Sequence, residues 1–172
     1  RHLRTRTMSL GQRVADDHQL ARLLQIGVVI EDLVESRAQH HLDSLSPPEE
    51  PIDEDVRDLL EAAVDRSADH RGRLEEIIDD LDVEPVPYEE IDDLVEATYA
   101  QTAPEDFDDL LYDQLCNEET AYKFYDDLIE AIEGSDTDFE LDADRVLAVL
   151  REVREEEEAG VERVTEIMER RA

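Results

Sequence analysis

The sequence predicts an all-α fold, an antiparallel four-helix bundle with one long crossover. Three observations carry this prediction. Apolar residues recur at helical spacing in four long stretches, the breaks between them hold proline or glycine, and no stretch alternates as a strand would. A chain of 172 residues also suits a single domain with a sizeable core.

Residues 1–7 (Arg-His-Leu-Arg-Thr-Arg-Thr) are basic and are expected to form a disordered extension, with Met8 reading as a natural start and 8–172 as one domain. The first helix is expected at about 10–45, opened by a capping box of Ser9 and Gln12 and stopped by Ser46-Pro47-Pro48. The second is expected at about 52–82, between Pro51 and the Pro85-Val86-Pro87 segment. A third, at about 104–133, opens at Thr102-Ala-Pro-Glu105, with proline in the first turn, and closes at Gly134-Ser135. The fourth runs from about 142 to 171. A short amphipathic helix around Glu89 to Tyr99, carrying Ile91, Leu94 and Val95, sits in the long connection between the second and third. Short connections join antiparallel neighbours, whereas the long one returns the chain along the bundle.

Charge narrows the function classes. Asp and Glu number 50 against 17 Lys and Arg, a net charge of −33. Phosphate recognition needs clustered Lys and Arg, so no nucleic-acid partner is expected. The longest clean apolar run, Ile26 to Ile30, is too short to span a bilayer, and no signal peptide follows the basic start. No membrane partner is therefore expected, and a cytoplasmic location is the default. Cys116 is the only cysteine, which excludes an intrachain disulfide or a cysteine-based metal centre. Lys123 is the only lysine, and this abundance of Asp and Glu with almost no Lys looks like proteins of salt-accumulating haloarchaea. At molar salt the Debye length is about 3 Å, so the self-repulsion is screened.

The apolar stripes become informative where they are interrupted. In the first helix Leu20, Leu24, Gly27, Val34 and Ala38 enclose Glu31. In the second, Val56, Leu60, Ala63, Leu74, Ile77 and Leu81 enclose Ser67 and His70. In the third, Leu111, Tyr125 and Ile132 recur at sevens and the missing member is Glu118. In the fourth, Val146, Leu150, Val153, Val164 and Met168 bracket Glu157 and Gly160. Each interruption is near mid-helix, so antiparallel packing brings them to similar height. Carboxylates converging in a core need a cation or protons to compensate them. Carboxylate and imidazole ligands suit iron and manganese. Glu35, Glu119 and Glu158 are the alternatives if the register differs by a residue or two.

These residues resemble the ferritin-like superfamily, in particular its rubrerythrin and bacterioferritin branch. That family places a Glu on each of two helices and Glu-x-x-His on each of the other two. Glu118-Glu-Thr-Ala121-Tyr-Lys-Phe-Tyr125 fits the family spacing Glu-x-x-Ala-x-x-x-Tyr, and Glu31 with Val34 and Ala38 fits it loosely. Where Glu-x-x-His is expected, the chain has Ser67-Ala-Asp-His70 and Glu157-Glu-Ala-Gly160. The resemblance implies a mid-bundle metal site of Glu31, His70, Glu118 and Glu157, with Tyr125, Tyr122 and Ser67 around it. It implies iron, as one ion or a pair, or manganese. The activity implied is ferrous iron oxidation or peroxide reduction, with an external electron donor, and the family's assemblies make a homo-oligomer an open expectation. Serine at 67 and glycine at 160 support the alternative, a non-catalytic bundle serving as a structural or interaction module. His18, His40 and His41 are expected at the surface, and Cys116 as a small buried apolar residue. No nucleophile triad, phosphate loop or dinucleotide fingerprint is present.

Overall fold

A computed structural model of the chain describes residues 14–98, 110–135, 139 and 141–171. The described residues form helices and connections only, with no strand among them. In order the helices are α1 (Asp17–Ser44), α2 (Pro51–Leu81), α3 (Tyr88–Thr98), α4 (Leu110–Glu133) and α5 (Ala143–Arg171).

The start of α1 corrects the sequence expectation. The helix begins at Asp17 rather than near Leu10, because Asp16 is the cap: its side chain accepts from the Gln19 amide at 2.8 Å, and the Gln19 side chain accepts from the Ala15 amide at 2.6 Å. This reciprocal pair has the spacing expected of Ser9 and Gln12, which lie, like residues 1–7, outside the described residues. Val14, buried ahead of the cap, is tied to the end of α4 through the Ser135 hydroxyl, 2.6 Å from its carbonyl.

Helix α2 opens on Pro51, with Glu50 and Asp53 forming a capping box, and ends at Asp82 in the left-handed region (φ 54°). The connection that follows is pinned to α1 by Gln25, whose side chain bonds both the Val86 carbonyl (2.7 Å) and amide (3.2 Å). Ile91 and Val95 then bury one face of α3, which docks on α1. The Thr102–Glu105 signal lies outside the described residues, and the described part of α4 begins at Leu110. Asp142 accepts from the Asp144 amide at 3.0 Å and starts α5.

Helix α1 packs chiefly on α2, and α4 on α5; smaller contacts join α1 to α4 and α2 to α5. Two apolar clusters result. The larger gathers Leu24, Ile30, Leu74, Phe124, Leu128 and Leu150 among others, and the smaller gathers Val56, Leu59, Leu60, Leu111, Val164 and Ile167. Along α2, α4 and α5 these clusters occupy opposite ends, and polar residues fill the stretch between. A buried aliphatic side chain contributes about 1.5–3 kcal/mol. Each ion taken from water costs several kcal/mol. The polar layer is therefore tolerable only because apolar packing above and below offsets it.

Candidate metal centre

Buried positions follow the same alternating three-and-four spacing on all the long helices. On α2 they are Val56, Leu60, Ala63, Ser67, His70, Leu74 and Ile77; on α5 they are Val146, Leu150, Val153, Glu157, Gly160, Val164 and Ile167. Such spacing keeps one face inward over several turns. Every interruption read from the sequence is thus buried: Glu31, Ser67, His70, Glu118 and Glu157 are all at most 1% exposed. Glu119 and Glu158 face out, and Glu35 pairs with Arg71.

His70 is the hub. Its Nδ1 lies 3.2 Å from Glu31 Oε2 and 3.1 Å from Glu157 Oε2, while its Nε2 lies 2.8 Å from Glu156 Oε1. Glu31, His70 and Glu157 are close enough together to ligate one ion. Asp69 and Glu156 form a second, more exposed grouping that shares His70. The Tyr125 hydroxyl, fully buried, donates to Glu31 Oε2. Tyr122 is half-buried, and the layer's hydrogen bonds do not include it.

Glu118 lies in the same layer but has different partners. Arg66 Nη2 donates to its Oε2, and Gln114 Nε2 donates to the same oxygen at 2.9 Å. Arg66 Nε is also 3.7 Å from Glu157 Oε1. Gly160 makes this possible: a Cβ there would sit 2.7 Å from Glu118 Oε1 and 3.0 Å from Arg66 Nη2.

The electrostatics have two origins, burial first and an excess of negative charge second. Burial works against a charged imidazole at His70, but hydrogen bonds to Glu157 and Glu31 outweigh it and push the group up to about 10. Burial pushes Glu118 up to about 7 in spite of Arg66, with Glu157 adding repulsion. Glu157 is raised by burial and by Glu31, and Tyr125 is held well above its usual range by burial and the same carboxylates. The layer therefore retains protons. One oxygen on each of Glu31, Glu118 and Glu157 (Oε1 in every case) is buried with no hydrogen-bond partner.

No protein family, curated protein or solved structure matches this chain. Function must therefore be argued from the centre's own chemistry. A layer that is short of positive charge and holds carboxylate oxygens without hydrogen bonds beside an imidazole could hold a metal ion.

Several participants were not anticipated. Gln114 occupies the inward seam three residues after Leu111, a legible position. Arg66 and Glu156 each sit beside a seam residue and reach the layer on long side chains, which periodicity does not report. His41 corrects the expectation of a surface residue: it is 5% exposed, with Nε2 2.6 Å from the fully buried Asp113, which also takes Arg37 at 3.2 Å. Its position is legible, since it continues the Val34–Ala38 seam of α1, but its partner comes from α4 and is not. His18 and His40 are exposed as expected, and Cys116 is only half-buried.

Proposed function

We propose that this protein is a ferritin-like metal protein, four antiparallel helices with one crossover, that binds divalent iron or manganese on Glu31, His70 and Glu157. The single observation that carries the reading is a buried imidazole nitrogen set 3.1–3.2 Å from two carboxylates that each keep an oxygen without a hydrogen bond. The antiparallel arrangement is supported by cross-helix pairs. Arg145–Asp80 and Arg170–Asp55 link α5 and α2 in opposite chain directions, as Arg154–Asp126 and Arg151–Glu133 do for α5 and α4.

The surrounding residues have definable roles. Glu156 accepts from His70 Nε2, which leaves Nδ1 as the ligating nitrogen once its proton is displaced. Tyr125 orients Glu31, and the apolar clusters on both sides exclude water from the layer. Iron or manganese in such a centre supplies one-electron redox chemistry, which makes ferrous iron oxidation and peroxide reduction the activities to assay. With one cysteine in the chain, electrons would come from an external donor.

Elemental analysis after anaerobic loading with ferrous iron, and separately with manganese, in molar KCl tests the reading. Stoichiometric metal is expected, lost in Glu31→Gln and in Glu157→Gln. Uptake of neither ion by the wild-type chain sinks it. The second reading, a structural or interaction module without metal, is favoured by Arg66, which neutralises part of the layer without any ion.

A further inference from the structure

We infer that Arg66 is a built-in cation for the Glu118 half of the layer, so that each chain holds one divalent ion rather than a pair. This rests on the metal-centre reading above. Three independent features point to it.

The first is partnership. Glu118 is not in the group that Glu31, His70 and Glu157 form; its Oε2 is held instead by Arg66 and Gln114. The guanidinium also faces Glu157 Oε1, at 3.7 Å, so one fixed cation already serves both carboxylates.

The second is space. The two positions where the family resemblance calls for a glutamate and a histidine are a serine and a glycine, and the glycine adjoins the Arg66 guanidinium. A Cβ at Gly160 would come within 3.0 Å of Arg66 Nη2 and 2.7 Å of Glu118 Oε1. The side chain missing at position 160 is thus one whose absence makes room for the guanidinium.

The third is charge. Ionised, Glu31, Glu118 and Glu157 bring three negative charges into a layer where each is at most 1% exposed. Arg66 supplies one positive charge and a single divalent ion two, which balances the layer with His70 neutral as a ligand. A second divalent ion would leave two buried positive charges uncompensated, an arrangement strongly disfavoured in an interior.

The test is a manganese titration of the full chain in molar KCl, with ions counted by elemental analysis and isolated or coupled ions distinguished by electron paramagnetic resonance. The wild type is expected to take one ion with an isolated-ion signal, and Arg66→Lys, which keeps the charge, to do the same. Arg66→Gln is expected to take two, and adding Glu118→Gln to it to restore one. Two ions in the wild type overturn the inference and leave the metal-centre reading standing, as does a single ion in Arg66→Gln. No ion in any form removes both. If Arg66→Gln fails to fold, the double variant Arg66→Gln with Glu118→Gln decides, since losing both charges together leaves the layer balanced around one ion. Its ion count and affinity should match the wild type, whereas weakening of about tenfold or more would make Glu118 a ligand and overturn the inference.

Discussion

His70 and Glu118 share a thermodynamic consequence: without a metal, the folded chain binds protons more tightly than the unfolded one. An unfolded histidine titrates near 6.5, and in the fold His70 is pushed up to about 10. Its contribution to stability is complete below 6.5 and is lost as pH rises through about 10. Glu118, raised from 4.5 to about 7, acts with the same sign at lower pH. With chelator present and molar KCl screening the surface, the melting temperature should fall across pH 6.5 to 10, and His70→Gln should flatten that profile. A variant as steep as the wild type would show that the layer is not the source. Glu31, His70 and Glu157 were legible in the sequence because each breaks an otherwise apolar seam. Arg66 was not, because it lies off the seam and enters by reach.

At the scale of the helices, two glycines make opposite demands. Gly72 is exposed on α2, with nothing within 4 Å of a Cβ built there. Replacing it with alanine should stabilise the protein by about 0.5–1 kcal/mol, the usual gain from restricting a helical glycine. Gly160→Ala makes the same backbone gain but drives a methyl group into Glu118 and Arg66, a conflict of about 1–3 kcal/mol. Urea denaturation should rank Gly72→Ala above wild type and Gly160→Ala below it; equal stability of the two variants would mean that the Arg66–Glu118 pair yields freely. The ends of α2 and α5 were readable within a residue or so, since proline at Pro51 and the aspartate at Asp142 act locally. The start of α1 was misplaced because Ser9–Gln12 and Asp16–Gln19 offer the same capping spacing, and apolar periodicity runs on past either cap. The burial of His41 was legible from the Val34–Ala38 seam it continues, whereas its pairing was not, because Asp113 lies 72 residues away on another helix.

Over the whole molecule, a net charge of −33 opposes compaction. Surface arginines answer it in pairs such as Arg73–Glu152, Arg145–Asp80 and Arg151–Glu133. Exposed pairs of this kind contribute about 0–1 kcal/mol each, too little to cancel the repulsion, which salt screens directly. Melting temperature is expected to climb steadily from dilute buffer to molar KCl. A flat salt dependence would separate the acidic composition from any adaptation to high salt. The polar layer has a further effect at this scale. It interrupts the apolar continuity of the molecule, leaving the larger cluster on one side and, among the described residues, six buried aliphatic residues, Val56 to Ile167, on the other. With fewer buried apolar side chains among the described residues, the smaller end is expected to fray first, and the fraying to halt at the layer. An ion gripped by α1, α2 and α5 at that boundary would act as a rivet, making two semi-independent segments open as one.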